Sequence, residues 1–92
     1  FMDDVKRKEQ LFRSQLHHPK IKNINSVGLL MAVEFDNYET NKKIIDACIE
    51  KGVFTDWFLF AAHALRIAPP LNISDEDIVA SCKIIVEVLD AY

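Results

Sequence analysis

The fold is decided by one stretch, ALRIAPPLNIS, which occupies positions 64–74. Residues 64–68 predict a short strand, because two apolar side chains alternate with Arg66 and two alanines that point the other way. Two consecutive prolines end this strand, since proline has no N–H to donate to a neighbouring strand. Ser74 then favours the start of a helix, whose first turn holds the acidic residues 75–77, where the helix dipole favours anions.

Three helices are predicted in all. The first covers residues 2–16 and ends at His17-His18-Pro19, because proline disfavours helical geometry in the residue before it. The second begins at the polar cap Asp36-Asn37 and closes at Lys51-Gly52, and the third follows Ser74. Each helix carries an apolar stripe at helical spacing. In chain order, the stripe residues are Met2, Val5, Phe12 and Leu16; Ile44, Ile45, Cys48 and Ile49; and Ile78, Cys82, Ile85 and Leu89.

A second strand is predicted over residues 27–35, VGLLMAVEF, because its apolar side chains recur with a period of two. Both faces of this segment are apolar as far as Ala32, which favours a central place in a sheet. Gly28 is expected to mark a bend or a close backbone approach. Residues 21–25 are a weaker candidate for a preceding strand, and residues 57–62 are ambiguous between strand and loop.

The predicted order is helix, strand, strand, helix, strand or loop, strand, helix. Short strands with helices on one face indicate an α+β fold with a small antiparallel or mixed sheet of three to four strands. We interpret residues 1–92 as a single domain, because no linker or repeat divides them.

Composition excludes several classes of protein. The chain has 92 residues, of which 50% are hydrophobic, and its net charge is −3. An acidic balance argues against a partner nucleic acid, the absence of a long apolar run argues against a membrane span, and two cysteines are too few for a disulfide scaffold. We therefore expect a cytoplasmic protein that contacts neither nucleic acid nor membrane. The chain begins with Phe1, which is expected of a processed product or of a piece of a longer chain.

The sequence favours structural over catalytic or metal-binding roles for the histidines at positions 17 and 18 and for the two cysteines. His17 and His18 are adjacent at a helix end with no spaced partner nearby, so a solvated helix terminus is favoured over a metal site. Cys48 and Cys82 each lie on an apolar stripe, which favours buried structural thiols over nucleophiles, ligands or a disulfide.

Arg66 is the strongest candidate for a functional side chain. It lies in a short strand inside an apolar run, and a planar guanidinium offers a two-pronged fit to a carboxylate. An exposed arginine on an edge strand is the alternative. Glu34 closes its strand and is interpreted as a charge that reaches solvent, and Trp57 is assigned to packing rather than to a ligand pocket.

The stretch at positions 64–74, with its acidic first turn and final helix, resembles the C-terminal end of class III (ornithine/acetylornithine-type) pyridoxal-phosphate-dependent aminotransferases. The upstream VGLLMAVEF resembles the glycine-led strand of the same family's small domain, and Lys51-Gly52-Val53 and Asp56-Trp57-Phe58 follow in the right order. The resemblance runs from about Val5 to Tyr92.

This resemblance implies a function. The family's motif arginine, here Arg66, holds the α-carboxylate of an amino-acid or oxo-acid substrate, and a two-pronged clamp is suited to orient that substrate across the cofactor ring. The chain would then be the C-terminal small domain of a transaminase that moves an amino group from an ornithine- or acetylornithine-like donor to a 2-oxo acid. Its partners would be the large cofactor-binding domain of the same chain and, in the full enzyme, a second subunit of a homodimer.

The cofactor machinery of that family is not found in these residues. None of the eight lysines lies in the context of the Schiff-base lysine, and the chain has two glycines and no phosphate-binding loop. We therefore expect no catalytic, cofactor-binding or metal-binding residue here, and no turnover by this chain alone. Where the family usually has an arginine and a glycine, this sequence has Asn25-Ser26.

Two alternatives remain open on the sequence alone. One is a free-standing α+β module in which Arg66 binds a carboxylate metabolite, and the other is an interaction domain without a ligand. The aminotransferase interpretation also predicts an uncovered apolar surface near residues 57–60 and the Arg66 strand, where the chain would associate with itself. The identity of the amino donor is left open, as is the residue at which the natural chain begins.

Overall fold

A computed structural model describes residues 2–35, 37–51, 58–61 and 64–91, with residues 58–61 described as backbone only. The helices and strands follow the predicted order. They are α1 (Met2–Gln15), β1 (Asn23–Val27), β2 (Leu30–Glu34), α2 (Tyr38–Glu50), β3 (Phe58–Ala61), β4 (Ala64–Ile67) and α3 (Asp75–Ala91). Residues 57–62, which the sequence left ambiguous between strand and loop, thus contain the strand β3. No helix among the described residues is long and apolar enough to cross a membrane.

The sheet has four strands in the order β1-β2-β4-β3, and every pairing is antiparallel. This confirms the predicted α+β class and the central place of the Met31–Val33 region. Leu65 and Ile67 are both only 1% exposed, whereas Arg66 between them is exposed. One face of the sheet therefore packs against the helices, and the other, which we call the open face, carries Arg66.

The prediction of a single strand over residues 27–35 is wrong in one respect. Val27 ends β1, Gly28 and Leu29 form a two-residue turn, and Leu30 begins β2. Gly28 has φ 59°, and glycine with positive φ at the first central position is typical of a tight hairpin turn. Val27 consequently lies on the open face, 82% exposed, rather than sharing the buried face of Met31.

The starts of α2 and α3 are capped as the sequence predicts. The Asn37 side chain accepts a hydrogen bond from the Thr40 N–H at 2.9 Å, and the Ser74 hydroxyl accepts one from the Asp77 N–H at 3.1 Å. Each bond satisfies one of the N–H groups left without a partner in the first turn. Asp36 and Gly52, also assigned to helix boundaries, lie outside the described residues.

The core lies between the helices and one face of the sheet. α1 and α2 both pack against α3, and the predicted stripes supply half of the buried hydrophobic side chains. The stripe prediction is wrong for Met2 and Ile49, which are 66% and 51% exposed. The largest fully buried apolar side chains are Phe12, Val33, Ile44, Leu65, Ile67, Ile78, Ile85, Val88 and Leu89.

Replacing Gly28 by alanine is expected to lower the free energy of unfolding by about 1–2 kcal/mol, because an L-residue is strained at positive φ. A Cβ at this position would also lie 3.3 Å from Val5 Cγ1. Urea unfolding measures the change, and Gly28→Asn is the matched control with a smaller expected loss, since asparagine tolerates this backbone region better. Equal stability of the alanine variant and the parent protein would contradict the assignment.

Candidate functional site

β4 places Arg66 in the middle of the open face. Its neighbour in register on β2 is Ala32, and its neighbour on β3 is Leu59. Because the Ala32 side chain is only a methyl group, the longer arginine side chain rises beside it without obstruction. Among the described residues, the Arg66 side chain has neither a hydrogen-bond partner nor an ion-pair partner. Its guanidinium is available to a carboxylate.

Arg66 lines a depression of about 380 Å³ on the open face. The depression is mostly apolar and has a few polar groups, a composition typical of small-molecule sites, although its volume is at the small end of their range. Its lining residues on the open face are Asn25, Val27, Leu30, Ala32, Arg66 and Ala68. Two of these, Val27 and Leu30, are large apolar side chains that are 82% and 64% exposed.

Asn25 also lines this depression, although the sequence alone does not mark it as a functional residue. It is registered with Ala32, which is registered with Arg66, so the three residues form one row across β1, β2 and β4. Side chains paired across antiparallel strands lie on the same face. The sequence signal for Asn25 is a polar side chain that alternates with Ile24 and Ser26. The strand that pairs with it could not be identified, because the hairpin between β1 and β2 was not predicted.

Glu34 lies at the end of β2 and is half-buried. It shares the open face with Ala32 and is registered with Ala64, two residues from Arg66 along β4. Glu34 forms no ion pair with any described residue, so the guanidinium of Arg66 is not neutralised from this side. Trp57, the aromatic candidate assigned to packing, lies outside the described residues.

The two histidines have different environments. His17 is exposed, as expected of a solvated helix terminus, but the His18 side chain is 12% exposed and lies 2.8 Å from Asp90 Oδ1 through its Nε2. Since His18 Nδ1 accepts a hydrogen bond from the Lys20 N–H at 3.1 Å, Nε2 carries the proton and donates to Asp90. Lys20 also donates to the Leu89 carbonyl at 2.6 Å. His18 therefore helps to fasten the end of α3.

Cys48 and Cys82 are buried free thiols, 3% and 0% exposed, which confirms the structural interpretation. Burial raises the pKa of Cys48 to about 11, against a smaller lowering by Lys51, and raises the pKa of Cys82 to about 12. A thiol that stays protonated is a poor nucleophile and a poor metal ligand. No group of three potential metal-binding side chains occurs in the described part of the chain.

These thiols predict a pH dependence. In the unfolded chain a cysteine titrates at about 8.5, below the folded values of about 11 and about 12. The contribution of the two neutral thiols to the free energy of unfolding is therefore complete below about pH 8.5. It is lost as the pH rises through their pKa values in the folded protein. We expect both thiols to resist Ellman's reagent at pH 8 in the native protein and to react fully in urea, with the urea midpoint falling above about pH 9. Rapid reaction of the native protein at pH 8 would contradict their burial.

Known proteins resemble this chain over nearly all of its length. Residues 1–89 match the model of the family described as aminotransferase class-III. An acetylornithine aminotransferase of Haemophilus ducreyi is 36% identical over 90 residues, and one of Caldanaerobacter subterraneus is 29% identical over 94 residues. These alignments cover 97% of this chain but only 22% and 23% of the relatives, so the chain spans about a fifth of their length.

Solved structures show the same fold. An ω-transaminase from Pseudomonas jessenii superposes with a TM-score of 0.81 at 20% identity, over 97% of this chain and 22% of its own. A lysine aminotransferase from M. tuberculosis gives a TM-score of 0.80 at 21% identity, over 96% of this chain and 21% of its own. At these identities the likeness is one of fold.

Proposed function

Because the chain belongs to the class III aminotransferase family, we propose that it forms the C-terminal small domain of a pyridoxal-phosphate-dependent transaminase and binds the substrate carboxylate. Arg66 is the carboxylate-binding residue. The enzyme is a cytoplasmic homodimer that transfers an amino group from an ornithine- or acetylornithine-like donor to a 2-oxo acid. The chain alone has no turnover.

One observation carries this proposal. Arg66 is exposed in a mostly apolar depression, and no described residue neutralises it. A guanidinium in such surroundings binds a carboxylate through two parallel N–H···O bonds, which fix the orientation of the ligand as well as its position. That orientation is what the substrate needs before a bond at its Cα can break.

We expect this chain to lack the covalent site for the cofactor that the family implies. No lysine lines the depression. The one buried lysine, Lys8, donates to the Leu71 carbonyl at 3.0 Å and pairs with Asp4 at 3.2 Å, and Lys20 is bonded to Leu89. Pyridoxal phosphate supplies an electron sink when it is bound, and we expect the residue that attaches it to lie outside this chain.

The open face supports docking of a large domain. Val27 and Leu30 expose apolar side chains beside Arg66, and covering them would remove apolar area from water while enclosing the depression. A closed, drier site strengthens the contact between the guanidinium and a carboxylate. The self-association expected near residues 57–60 and the Arg66 strand stays a prediction, because the side chains of residues 57–60 lie outside the described set.

An assay of amino transfer tests the proposed function. The intact protein, supplied with pyridoxal phosphate and 2-oxoglutarate, is expected to form glutamate when ornithine or acetylornithine is the donor. The 92-residue chain alone is the matched control and is expected to form none. Failure of the intact protein with both donors would refute the proposed donor class, and turnover by the chain alone would refute the assignment of the cofactor site elsewhere.

A further inference from the structure

The backbone on both sides of Asn25 is held by one side chain of α1. Arg13 Nη1 donates to the Ile24 carbonyl at 3.2 Å and to the Ser26 hydroxyl at 2.8 Å. The Ser26 hydroxyl in turn donates to Glu9 Oε2 at 2.6 Å. β1 is an edge strand, and edge strands have a ladder partner on one side only. The Arg13 contacts fasten this strand to α1 at the residues that flank Asn25.

The side chain of Asn25 is directed away from these anchors. Ile24 and Ser26 are half-buried on the helix-packed face, whereas Asn25 is exposed on the open face. It lines the same depression as Arg66, and its amide bonds to no other described residue. A fastened backbone that presents an unpartnered polar group to a depression is the arrangement that binding sites use to limit the entropy lost on binding.

The spacing of the two polar groups sets the length of a ligand. β1 and β4 lie on either side of β2, so their backbones are about 9–10 Å apart. The floor between Asn25 and Arg66 is the methyl group of Ala32, with Val27, Leu30 and Ala68 around it. This floor suits a short methylene chain with a polar group at each end.

We propose that Asn25 is a specificity-determining residue that binds a neutral amide group at the far end of a ligand whose carboxylate is held by Arg66. The proposal rests on the carboxylate-binding role of Arg66 and extends it. A side-chain amide has a donor and an acceptor, which match the acceptor and donor of a ligand amide.

Three ligands of equal chain length test the proposal in the intact protein by NMR titration. Pentanoate offers a carboxylate alone, glutarate offers two, and the monoamide of glutarate offers a carboxylate and an amide. We expect the monoamide to bind about three- to tenfold more tightly than pentanoate, which is the contribution of one or two additional hydrogen bonds.

Variants assign the effect to the side chain. Asn25→Ala is expected to abolish the advantage of the monoamide over pentanoate, and Asn25→Lys is expected to make glutarate the preferred ligand. Asn23→Ala is the matched control, because Asn23 is exposed on the same strand and the same face but does not line the depression. An inverted preference in Asn25→Lys is a result that a purely structural role would not produce.

The results distinguish a failure of the Asn25 proposal from a failure of the carboxylate-binding role of Arg66. Equal binding of pentanoate and the monoamide by the parent protein, or a monoamide advantage that survives Asn25→Ala, overturns the role of Asn25. Arg66→Gln is expected to weaken the binding of all three ligands. If Arg66→Gln leaves pentanoate binding unchanged, or if pentanoate does not bind, the carboxylate-binding role of Arg66 fails, and the role of Asn25 fails with it.

Discussion

Replacement of Arg66 by lysine is expected to raise the KM for the carboxylate-bearing substrate about ten- to 100-fold and to leave the spectrum of the bound cofactor unchanged. Lysine keeps the positive charge but cannot form two parallel hydrogen bonds to one carboxylate. A hydrogen bond to a charged group contributes about 1.5–3 kcal/mol, and each 1.4 kcal/mol corresponds to a tenfold change. Steady-state kinetics of the intact protein, with the carboxylate substrate varied, measure the effect.

Arg7→Lys is the matched control for this prediction. Arg7 is an exposed arginine on α1 that pairs with Asp4 at 2.9 Å and with Asp75 at 2.8 Å, and it does not line the depression. Exposed ion pairs contribute little to stability, so this variant is expected to retain the parent KM. An unchanged KM in Arg66→Lys would remove the carboxylate-binding role, and an equal rise in both variants would point to a general loss of structure.

Replacement of Phe12 by alanine is expected to lower the free energy of unfolding by about 3–5 kcal/mol, the range for a buried aromatic side chain. Phe12 is 0% exposed and belongs to the core cluster, and α1 has only three buried side chains, those of Val5, Lys8 and Phe12. Since a small domain has a total stability of about 5–15 kcal/mol, this loss is a large share of it. Urea unfolding followed by near-ultraviolet circular dichroism measures the change.

Met2→Ala is the control on the same helix. The sequence pattern places Met2 on the same apolar stripe as Phe12, but the Met2 side chain is 66% exposed in the structure. Truncating an exposed side chain is expected to change the free energy of unfolding by less than about 0.5 kcal/mol. If the two variants lose equal stability, α1 does not pack on the core through Phe12.

Local signals account for the parts of the fold that were predictable. The Ser74 and Asn37 caps, and the apolar stripe of α3 with Ile78, Cys82 and Ile85, depend on residues within a few positions of one another. The opposite orientations of Arg66 and Leu65 follow from the alternation of a strand in the same way. Such preferences act before any tertiary contact forms, and tertiary packing here agreed with them.

Local signals failed where a pattern continued through a turn. Val27 and Leu29 extended the alternation of β2, so the sequence indicated one long strand, although Gly28 alone among these residues favours a positive φ. A two-residue turn reverses the chain and pairs Val27 with Leu30. The face on which Val27 lies depends on this register, because a one-residue shift moves every side chain to the other face.

The sequence by itself determined the order of the elements, their caps and the identity of Arg66 as the residue to examine, because periodicity, capping and a distinctive motif are all readable over short spans. Only the tertiary structure decided what surrounds Arg66. The row from Asn25 through Ala32 to Arg66, and the contact of His18 with Asp90, join residues 41 and 72 positions apart in the chain. Contacts of this kind arise from strand pairing and helix packing, which no short span of sequence specifies.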